Sequence, residues 1–338
     1  MTQTSTYICT YIIYIYIWCK QLSAIKRINM GHIGRTIEKY RQALSISRKE
    51  LAEDICSEKH IYLIEKGERS PSANILKQLS EKLGVNLFEF YQYIDCENPI
   101  EVRDKIKDFY MYRANLDFIT LMKVSVEAYD MWDFRNKPYS FEIRLNDLYY
   151  MAFEDNRYEE TKVKLKKLLK EAEIWKYSEM FLVNVHTLMT TLCLITQDFT
   201  EAKNSALKAL KIFQRQFDVE KNLPLSTTMI VNLMGAYYVN GEYDVVIDIG
   251  NKFLKIKQAF NSYDRIHYIY FFMSFACYTK NMREEAYIFL KKAIYILMMD
   301  FRPTDVTYVA MIGELEEMLE DLDKDSELIR EFRKKYKI

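Results

Sequence analysis

Apolar residues recur at helical spacing along almost the whole chain, and the first clear series begins at residue 33. Ile33, Ile37 and Leu44 share one side of a helix with Tyr40, because residues three, four and seven positions apart lie on the same face. Arg41 falls beside this apolar side. The spacing predicts a first helix in this stretch.

A second, shorter helix is predicted to begin after Ser47. Ser47 and Glu50 form a capping-box pattern, in which the hydroxyl accepts a hydrogen bond from an amide of the first turn and the carboxylate accepts one from the serine amide. Leu51, Ala52 and Ile55 then give the helix a short apolar face. A helix of this length is stable only with other helices packed around it.

A third helix follows at once. Ser57 interrupts the apolar pattern, and Ile61 and Ile64 resume it. Gly67 is well placed to end the helix. Two short helices joined by a tight turn form the helix-turn-helix arrangement, whose second helix can enter the major groove of DNA. The stretch 47–72 is therefore the first candidate for a functional site.

The remainder of this small domain is predicted from the same signals. Ser72 can cap a fourth helix, and Gly84 lies just past its end. Leu87–Tyr93 gives a fifth helix. The polar, proline-terminated run Asp95–Pro99 is the best candidate for a domain boundary. The predicted organisation is an extension over 1–29, a DNA-binding domain over 30–94, a linker over 95–100 and a repeat domain over 101–338.

From Ile100 onward the chain becomes a succession of amphipathic helices with turns at fairly regular intervals. Four segments each open the second helix of a pair and carry small or apolar residues seven positions apart. These paired positions are Thr161 and Leu168, Ala202 and Ala209, Val246 and Phe253, and Ala286 and Ala293. Successive units are offset by 41, 44 and 40 residues (161 to 202 to 246 to 286). Helix pairs repeated in this way stack into a right-handed solenoid. We expect about five repeats, the first near 101–135, with capping helices over 306–319 and 326–336.

Composition supports an all-α protein of more than one domain. A chain of 338 residues exceeds the usual size of a single core, and only 8 Gly and 5 Pro interrupt it. The 48 basic and 48 acidic residues cancel, so any attraction to nucleic acid must come from a local surface. The six cysteines contain no CxxC pair, which favours reduced, buried thiols in a cytosolic protein.

The amino-terminal run over 7–19 is apolar and uncharged. It is shorter than the roughly 20 residues of a membrane helix, and no basic region precedes it as in a secretory signal. Basic residues follow the run, so a weak anchor with a cytoplasmic remainder stays an open alternative. We expect translation to start at Met30, which would leave 1–29 out of the native protein.

Two motifs resemble known families. The stretch LAEDICSEKHIYLIEKGERSP resembles the XRE-type helix-turn-helix, and the turns NGEYDVV and NMREEAYIFLKKAI resemble tetratricopeptide repeats. Together they resemble the RNPP family of peptide-responsive transcription regulators (Rgg, NprR, PlcR and PrgX), from Met30 to the carboxyl terminus. The repeats are longer than the ~34 residues of the standard unit, and Arg283 stands where an aromatic residue is usual.

The third helix carries the candidate DNA-reading residues, which face outward because Ile61 and Ile64 face the core. Lys59 can donate to guanine or phosphate, and Glu58 can accept from a cytosine amino group. Arg48 begins a helix whose amino terminus can meet backbone phosphate. The predicted DNA-binding residues are Arg48, Ser57, Glu58, Lys59, His60, Tyr62, Leu63, Lys66 and Arg69. A solvated polar face in a domain that only mediates protein contacts is the alternative.

The resemblance also implies a structural ion pair between Glu65 and Arg41. One such domain contacts about half a turn of groove, so specificity requires two domains on a palindromic site. A homodimer is therefore implied.

In the repeats, the first helix of each pair is expected to line an inner, concave surface. Asn amides there can satisfy a peptide backbone, and aromatic walls can receive apolar side chains. The resemblance implies that short secreted peptides, re-imported into the cell, bind here, with Asn184 and Asn232 as the best carried-over positions. Phe272 departs from this polar pattern. The predicted peptide-binding residues are Asn146, Asp147, Tyr150, Asn184, Thr187, Thr191, Asn232, Tyr238, Tyr268, Phe272 and Tyr278. Ordinary solvated or inter-helix residues are the alternative for each of them.

No enzymatic pattern is present in the sequence. The four histidines are scattered without HExxH spacing, no glycine-rich phosphate loop follows a strand, and no nucleophile and base are paired. We therefore expect neither catalysis nor a cofactor or metal.

The sequence thus predicts an all-α, cytoplasmic, homodimeric transcription regulator, in which a five-helix XRE-type helix-turn-helix domain precedes a right-handed tetratricopeptide-like solenoid. The helix-turn-helix would bind a palindromic operator, and a short signalling peptide of quorum-sensing type would bind in the groove. Two alternatives stay open. One is a repeat scaffold that captures another protein and uses the helix-turn-helix for docking or dimerisation, and the other is a phage lysis-decision receptor.

Overall fold

A computed structural model describes residues 33–86, 91–93, 96–216 and 222–299, together with the single residues Met318, Arg330 and Lys334. Within these ranges every regular element is a helix, as predicted. Apart from those single residues, the predicted extension and capping helices lie outside the described residues. So does 87–90 of the predicted fifth helix.

The described helices are named in chain order. They are α1 over 33–43, α2 Arg48–Ala52, α3 Glu58–Glu65, α4 Ala73–Lys82, α5 Pro99–Ala114, α6 Phe118–Tyr129, α7 Trp132–Arg135, α8 Ser140–Phe153, α9 Tyr158–Ile174, α10 Glu179–Ile195, α11 Phe199–Gln216, α12 Leu223–Val239, α13 Tyr243–Ala259, α14 Ile266–Thr279 and α15 Arg283–Met299.

The chain forms two compact units. The first contains the described residues up to Tyr110 together with Lys123–Ser140, and the second contains Met111–Met122 together with the described residues from Phe141 onward. The predicted boundary at 95–100 remains a prediction.

The helix-turn-helix region of the first unit has its own apolar core. The predicted apolar faces of α1, α2, α3 and α4 meet there. The fully enclosed members are Ile37, Tyr40, Leu51, Ile61, Ile64 and Leu79. This core fixes which side of each short helix faces inward, because none of the four helices is long enough to be stable alone.

Serine caps begin three of these helices where the sequence predicts them. Ser47 and Glu50 form the complete capping box of α2. Ser57 and Ser72 each accept an amide hydrogen bond from the first turn of α3 and α4. Gly67 and Gly84 have φ of 74° and 65°, the left-handed conformation in which glycine readily ends a helix.

A buried carboxylate organises the remainder of the first unit. Asp133 in α7 is 1% exposed and accepts hydrogen bonds from the amides of Glu97 and Asn98, at 2.7 and 3.2 Å. These amides directly precede α5, so the carboxylate satisfies groups that a helix start leaves unpaired.

The second unit is built from helix pairs. From α9 to α15, each helix packs against the next one in the chain. The eight small or apolar positions that define the predicted repeat are all buried, with exposures from 0% to 4%. The predicted register of the repeats is therefore confirmed across these four units.

The turn inside each helix pair confirms the same register independently of the side chains in the core. A residue with positive φ recurs at Asn156, Gln197, Gly241 and Asn281. Their separations are again 41, 44 and 40 residues (156 to 197 to 241 to 281). The turn conformation therefore repeats with the apolar pattern.

The first helices of successive pairs also contact one another. α10 packs against α12, and α12 packs against α14. We call α8, α10, α12 and α14 the first-helix row. It is the surface that helix-pair repeats commonly use for binding.

Candidate functional site

Helix α3 presents the polar surface that the sequence predicts. Ile61 and Ile64 are 0% exposed and point into the core. The outward residues comprise four exposed side chains, Ser57, Glu58, Lys59 and Tyr62, and two half-buried ones, His60 and Leu63. Contact of any of these residues with DNA remains a prediction.

Glu65 at the end of α3 is the centre of a buried ionic network. Its side chain is 1% exposed, and it accepts hydrogen bonds from Arg41 of α1 at 2.7 and 3.3 Å. The Glu65–Arg41 pair implied by the resemblance is confirmed. Arg48 of α2 donates to the same carboxylate at 2.5 Å and to Glu38 at 3.3 Å. Three helices are therefore joined through one side chain.

The engagement of Arg48 with Glu65 was not expected from sequence, which assigned Arg48 only to phosphate. The hydrogen bond to Glu65 raises the pKa of Arg48 above its usual value. Its side chain is still 34% exposed. A role on phosphate remains a prediction, and the structure adds a role inside the domain.

Two cationic groups flank the exposed ring of Tyr62. The guanidinium of Arg48 lies 5.5 Å from the ring centroid, and the ammonium of Lys66 lies 5.9 Å from it. Arg69 approaches the same helix from the following loop and donates to Nδ1 of His60 at 3.3 Å. Basic groups therefore surround α3, although the protein as a whole is neutral.

The first-helix row contains the predicted peptide-binding residues, and three of them, Asn146, Asn184 and Thr187, are buried where the sequence predicts exposure. Asn146 was counted as an exposed position but is 0% exposed. Its Oδ1 accepts from Nε and an Nη of Arg113, and Arg113 also pairs with Glu142 at 2.8 Å. The expected exposure of Asn146 is therefore wrong, because a buried guanidinium draws this face of α8 inward.

Two asparagines of the row hold a fixed orientation. Nδ2 of Asn232 donates to the carbonyl of Thr187 at 3.3 Å and to the hydroxyl of Thr191 at 2.8 Å. Nδ2 of Asn184 donates to the carbonyl of Met180 at 2.9 Å. A backbone carbonyl only accepts, so the nitrogen of each amide is identified by its partner. Each side chain therefore turns its Oδ1 away from these partners.

The hydroxyls of Thr187 and Thr191 each donate a hydrogen bond to the backbone carbonyl four residues earlier. Thr187 and Asn184 are buried, at 5% and 2% exposure, whereas Thr191 and Asn232 are half-buried. The polar residues of α10 and α12 thus form a connected set between two first helices.

Aromatic residues dominate the row at α12 and α14. The rings of Tyr238 and Phe272 lie 6.3 Å apart. Phe272 packs over Gly235, where an added Cβ would meet Phe272 at 3.2 Å and Leu194 at 3.4 Å. Tyr268 and Tyr278 of α14 are half-buried. A glycine at this point lets the aromatic ring approach the helix closely.

The last three helices of the row carry very little charge. Among the 48 residues of α10, α12 and α14, Glu179 is the one acidic residue and there is no Lys or Arg. Burial lowers the pKa of His186 and His267 to about 4, so both are neutral at pH 7. On α8, Asp147 is exposed and Tyr150 half-buried. Neighbouring protein atoms that displace water raise the pKa of Asp147.

Sequence reasoning missed the buried ionic groups of the second unit. Besides Arg113 and Glu142, Lys257 is 0% exposed and donates to the hydroxyl of Thr227 at 3.0 Å and to the carbonyl of Asp264 at 2.7 Å. Burial lowers the pKa of Lys257 to about 8. Each of these charged residues lies on the apolar side of its helix, and that position was the signal from which their burial could have been predicted.

The described cysteines are Cys56, Cys96, Cys193 and Cys277, and all four are free thiols, as predicted. In the described part of the chain, no helix is both long and apolar enough to cross a membrane.

Comparison with known proteins identifies the first domain. Residues 37–90 match the sequence model of a family described as helix-turn-helix. No curated protein sequence matches the chain.

Solved structures are similar to most of the chain. The structure titled Bacillus thuringiensis PlcR in complex with the peptide PapR7 and DNA is 17% identical, with a TM-score of 0.63, and the alignment covers 87% of this chain and 100% of PlcR. The apo form of PlcR aligns at 15% identity and a TM-score of 0.48, over 86% of this chain and 98% of its own. ComR from S. thermophilus, in complex with DNA and its signalling peptide ComS, aligns at 16% identity and a TM-score of 0.47, over 86% of this chain and 97% of its own.

The likeness to the peptide-bound and DNA-bound PlcR shows the fold. A helix-turn-helix domain is followed by helical repeats, as the predicted fold class states. The resemblance noted in the sequence is confirmed for its helix-turn-helix domain and its fold.

Proposed function

We propose that this protein is a cytoplasmic transcription regulator that binds DNA through α3 and is controlled by a short peptide bound on the first-helix row. The arrangement of α3 is the single observation that carries the proposal. Helix α3 is capped at its start, and Glu65 at its end attaches it to Arg41 of α1. Lys59, Tyr62 and further polar groups point outward. A rigid helix with an exposed polar face suits the major groove.

Phosphate contacts would come from the basic groups around α3. Lys66 is exposed at the end of the helix, and Arg69 is held against His60. These side chains can steer the domain to DNA and fix its register without reading sequence. Lys59 and Glu58 are the candidates for base contacts because they lie on the first exposed turn of α3.

A double variant tests the DNA-binding role. Replacing Lys59 and His60 by Ala should weaken binding to a duplex selected from random sequence at least tenfold, since each good base contact contributes ~1–3 kcal/mol. The dependence of log K on log salt should change little, because these two residues are assigned to bases and not to phosphate. Fluorescence anisotropy at several salt concentrations measures both quantities.

The control is Lys77→Ala on α4, where the lysine is 68% exposed and forms only a surface pair with Glu81. This control should bind as the wild type does. DNA binding that survives unchanged in the double variant would show that α3 is not the reading helix and would favour the docking alternative.

Peptide binding is supported by the chemistry of the first-helix row. Asn232 is half-buried and its Nδ2 is held by Thr187 and Thr191, so its Oδ1 can accept from a peptide amide. Tyr238 and Phe272 offer aromatic surface. Packed helices lie ~8–10 Å apart, so three first helices span ~20 Å, the length of about six extended residues. PlcR, which has a similar fold, was solved in complex with both a peptide and DNA.

The two binding events would be linked through the repeats. We propose that the protein acts as a homodimer on a palindromic site. The peptide would favour one curvature of the repeat array and so change the spacing of the two DNA-binding domains. A ligand shifts such an equilibrium only by its difference in affinity for the two states.

A further inference from the structure

One side of α6 and of the turn after it exposes large apolar side chains. Val126, Tyr129 and Trp132 follow at intervals of three residues and are 60%, 55% and 57% exposed. On the other side of the helix, Ser125 and Ala128 are buried, at 1% and 0%. We call the three apolar residues the α6 stripe. Clustered exposed apolar residues of this size mark interaction surfaces more often than isolated ones do.

Two opposite charges flank the α6 stripe. Lys123 on α6 and Asp130 in the turn directly after it are both exposed and lie seven residues apart, one on each side of Val126 along the chain. Among the residues that the structure describes, neither side chain has an ion-pair partner. Their spacing makes this surface complementary to a second copy of itself. If two α6 helices pair antiparallel about a two-fold axis near Val126, Lys123 of each copy faces Asp130 of the other.

We infer that the α6 stripe is the centre of a homodimer interface, in which α6 of one copy packs antiparallel against α6 of a second copy. The inference rests on the proposed function, which requires a homodimer. It adds which surface of each copy forms the contact and how the two α6 helices are aligned. Aromatic side chains cover ~150–250 Å² each when fully buried. Three half-exposed residues therefore supply only part of the ~800 Å² per partner of a standard interface. Residues around the stripe must therefore contribute to the contact as well.

Sedimentation velocity of the full-length chain at micromolar concentrations tests the surface. Val126→Glu should raise the dimer dissociation constant at least tenfold, because it places a charge at the centre of an apolar contact. The matched control is Val163→Glu on α9, since Val163 is also an exposed helical valine, at 55%. The control should sediment as the wild type does.

A charge exchange tests the antiparallel register. Lys123→Glu and Asp130→Lys should each weaken the dimer several-fold, because each variant opposes like charges across the two-fold axis. The variant that combines both substitutions restores opposite charges and should regain most of the wild-type affinity. Simple loss of folding would not be repaired by a second substitution.

The outcomes separate this inference from the proposed function. A Val126→Glu chain that dimerises as well as the wild type, or a charge exchange that restores nothing, overturns the interface while leaving DNA binding through α3 intact. A wild-type chain that is monomeric both alone and on a duplex with two half-sites overturns the dimer itself. It would leave the stripe to a different protein partner. DNA binding by the Val126→Glu monomer to a single half-site reports on α3 independently.

Discussion

Glu65 positions α3, the helix proposed to read DNA, through contacts inside the domain. It lies at the end of α3 and binds the guanidinium groups of Arg41 from α1 and Arg48 from α2. Leaving a buried charge without its partner is costly, often ~3–5 kcal/mol. Glu65 therefore fixes the attachment of α3 to the bundle, while the exposed residues of α3 remain free for recognition.

Two buried histidines predict a pH-dependent stability of the second unit. The pKa of His186 and His267 is lowered to about 4 in the folded state, chiefly by burial, from an ordinary value of 6.5. The positive charge of Lys208 adds to the effect at His186, and Arg265 adds to it at His267, where Asp264 opposes it. As pH falls below 6.5, the unfolded chain binds protons first.

Stability is therefore present above pH 6.5 and lost between pH 6.5 and 4, by roughly 2 kcal/mol per imidazole at pH 5. Thermal melting should show a lower Tm at pH 5 than at pH 7. The double variant His186→Gln/His267→Gln should lose most of this difference, whatever its absolute stability. An unchanged pH dependence in the variant would mean that other groups cause it.

At the scale of elements, α1 and α3 approach each other more closely than any side chain allows. A Cβ added at Gly34 of α1 would lie 1.8 Å from the carbonyl oxygen of Ile64 in α3. Backbone atoms of a packed helix cannot move aside cheaply, so the two helices would have to separate. The glycine thus sets the distance between the first helix and the reading helix.

Gly34→Ala should accordingly destabilise the helix-turn-helix by about 3 kcal/mol or more. Gly235→Ala in α12 is the matched control. Its added Cβ would meet the ring of Phe272 at 3.2 Å, a contact that a small shift of the ring relieves, and alanine gains ~1 kcal/mol in helix propensity over glycine. Amide hydrogen exchange of peptides from α1–α4 in the full-length chain measures the difference. Equal protection in both variants would contradict the close approach.

The elements were predictable where their causes are local. The helix starts after Ser47, Ser57 and Ser72 follow from hydrogen bonds that span three residues. The outward face of α3 follows from the apolar residues Ile61 and Ile64 on the same helix. The repeat offsets follow from small residues that recur at one depth in the core.

The remainder depends on partners distant in sequence. Asn146 is buried because Arg113 binds it from 33 residues earlier. The orientation of Asn232 is fixed by the carbonyl of Thr187, 45 residues before it. Helical periodicity gives the side of a helix on which a residue lies, but not whether a distant polar group will draw that side into the interior. The exposed residues of the first-helix row were therefore predicted less accurately than those of α3.

At the scale of the whole molecule, one chain carries both the proposed DNA-binding helix and the proposed peptide-binding row. A protein with no net charge would rely on local contacts around α3 and on paired domains for its affinity to DNA. The nearly uncharged helices α10, α12 and α14 are suited to a ligand that brings little charge of its own. Regulation requires that occupation of one site changes the affinity of the other.

The linkage between the two sites is the most direct test of this account. A peptide found by thermal-shift screening of the full-length chain should change the affinity for the selected DNA duplex, and the duplex should change the affinity for the peptide by the same factor, typically 5- to 150-fold. Fluorescence anisotropy with labelled duplex and with labelled peptide gives the two factors separately. The predicted result is that the two affinities change by the same factor and that this factor differs from one. A peptide that binds with one affinity whether or not the duplex is present would contradict the account.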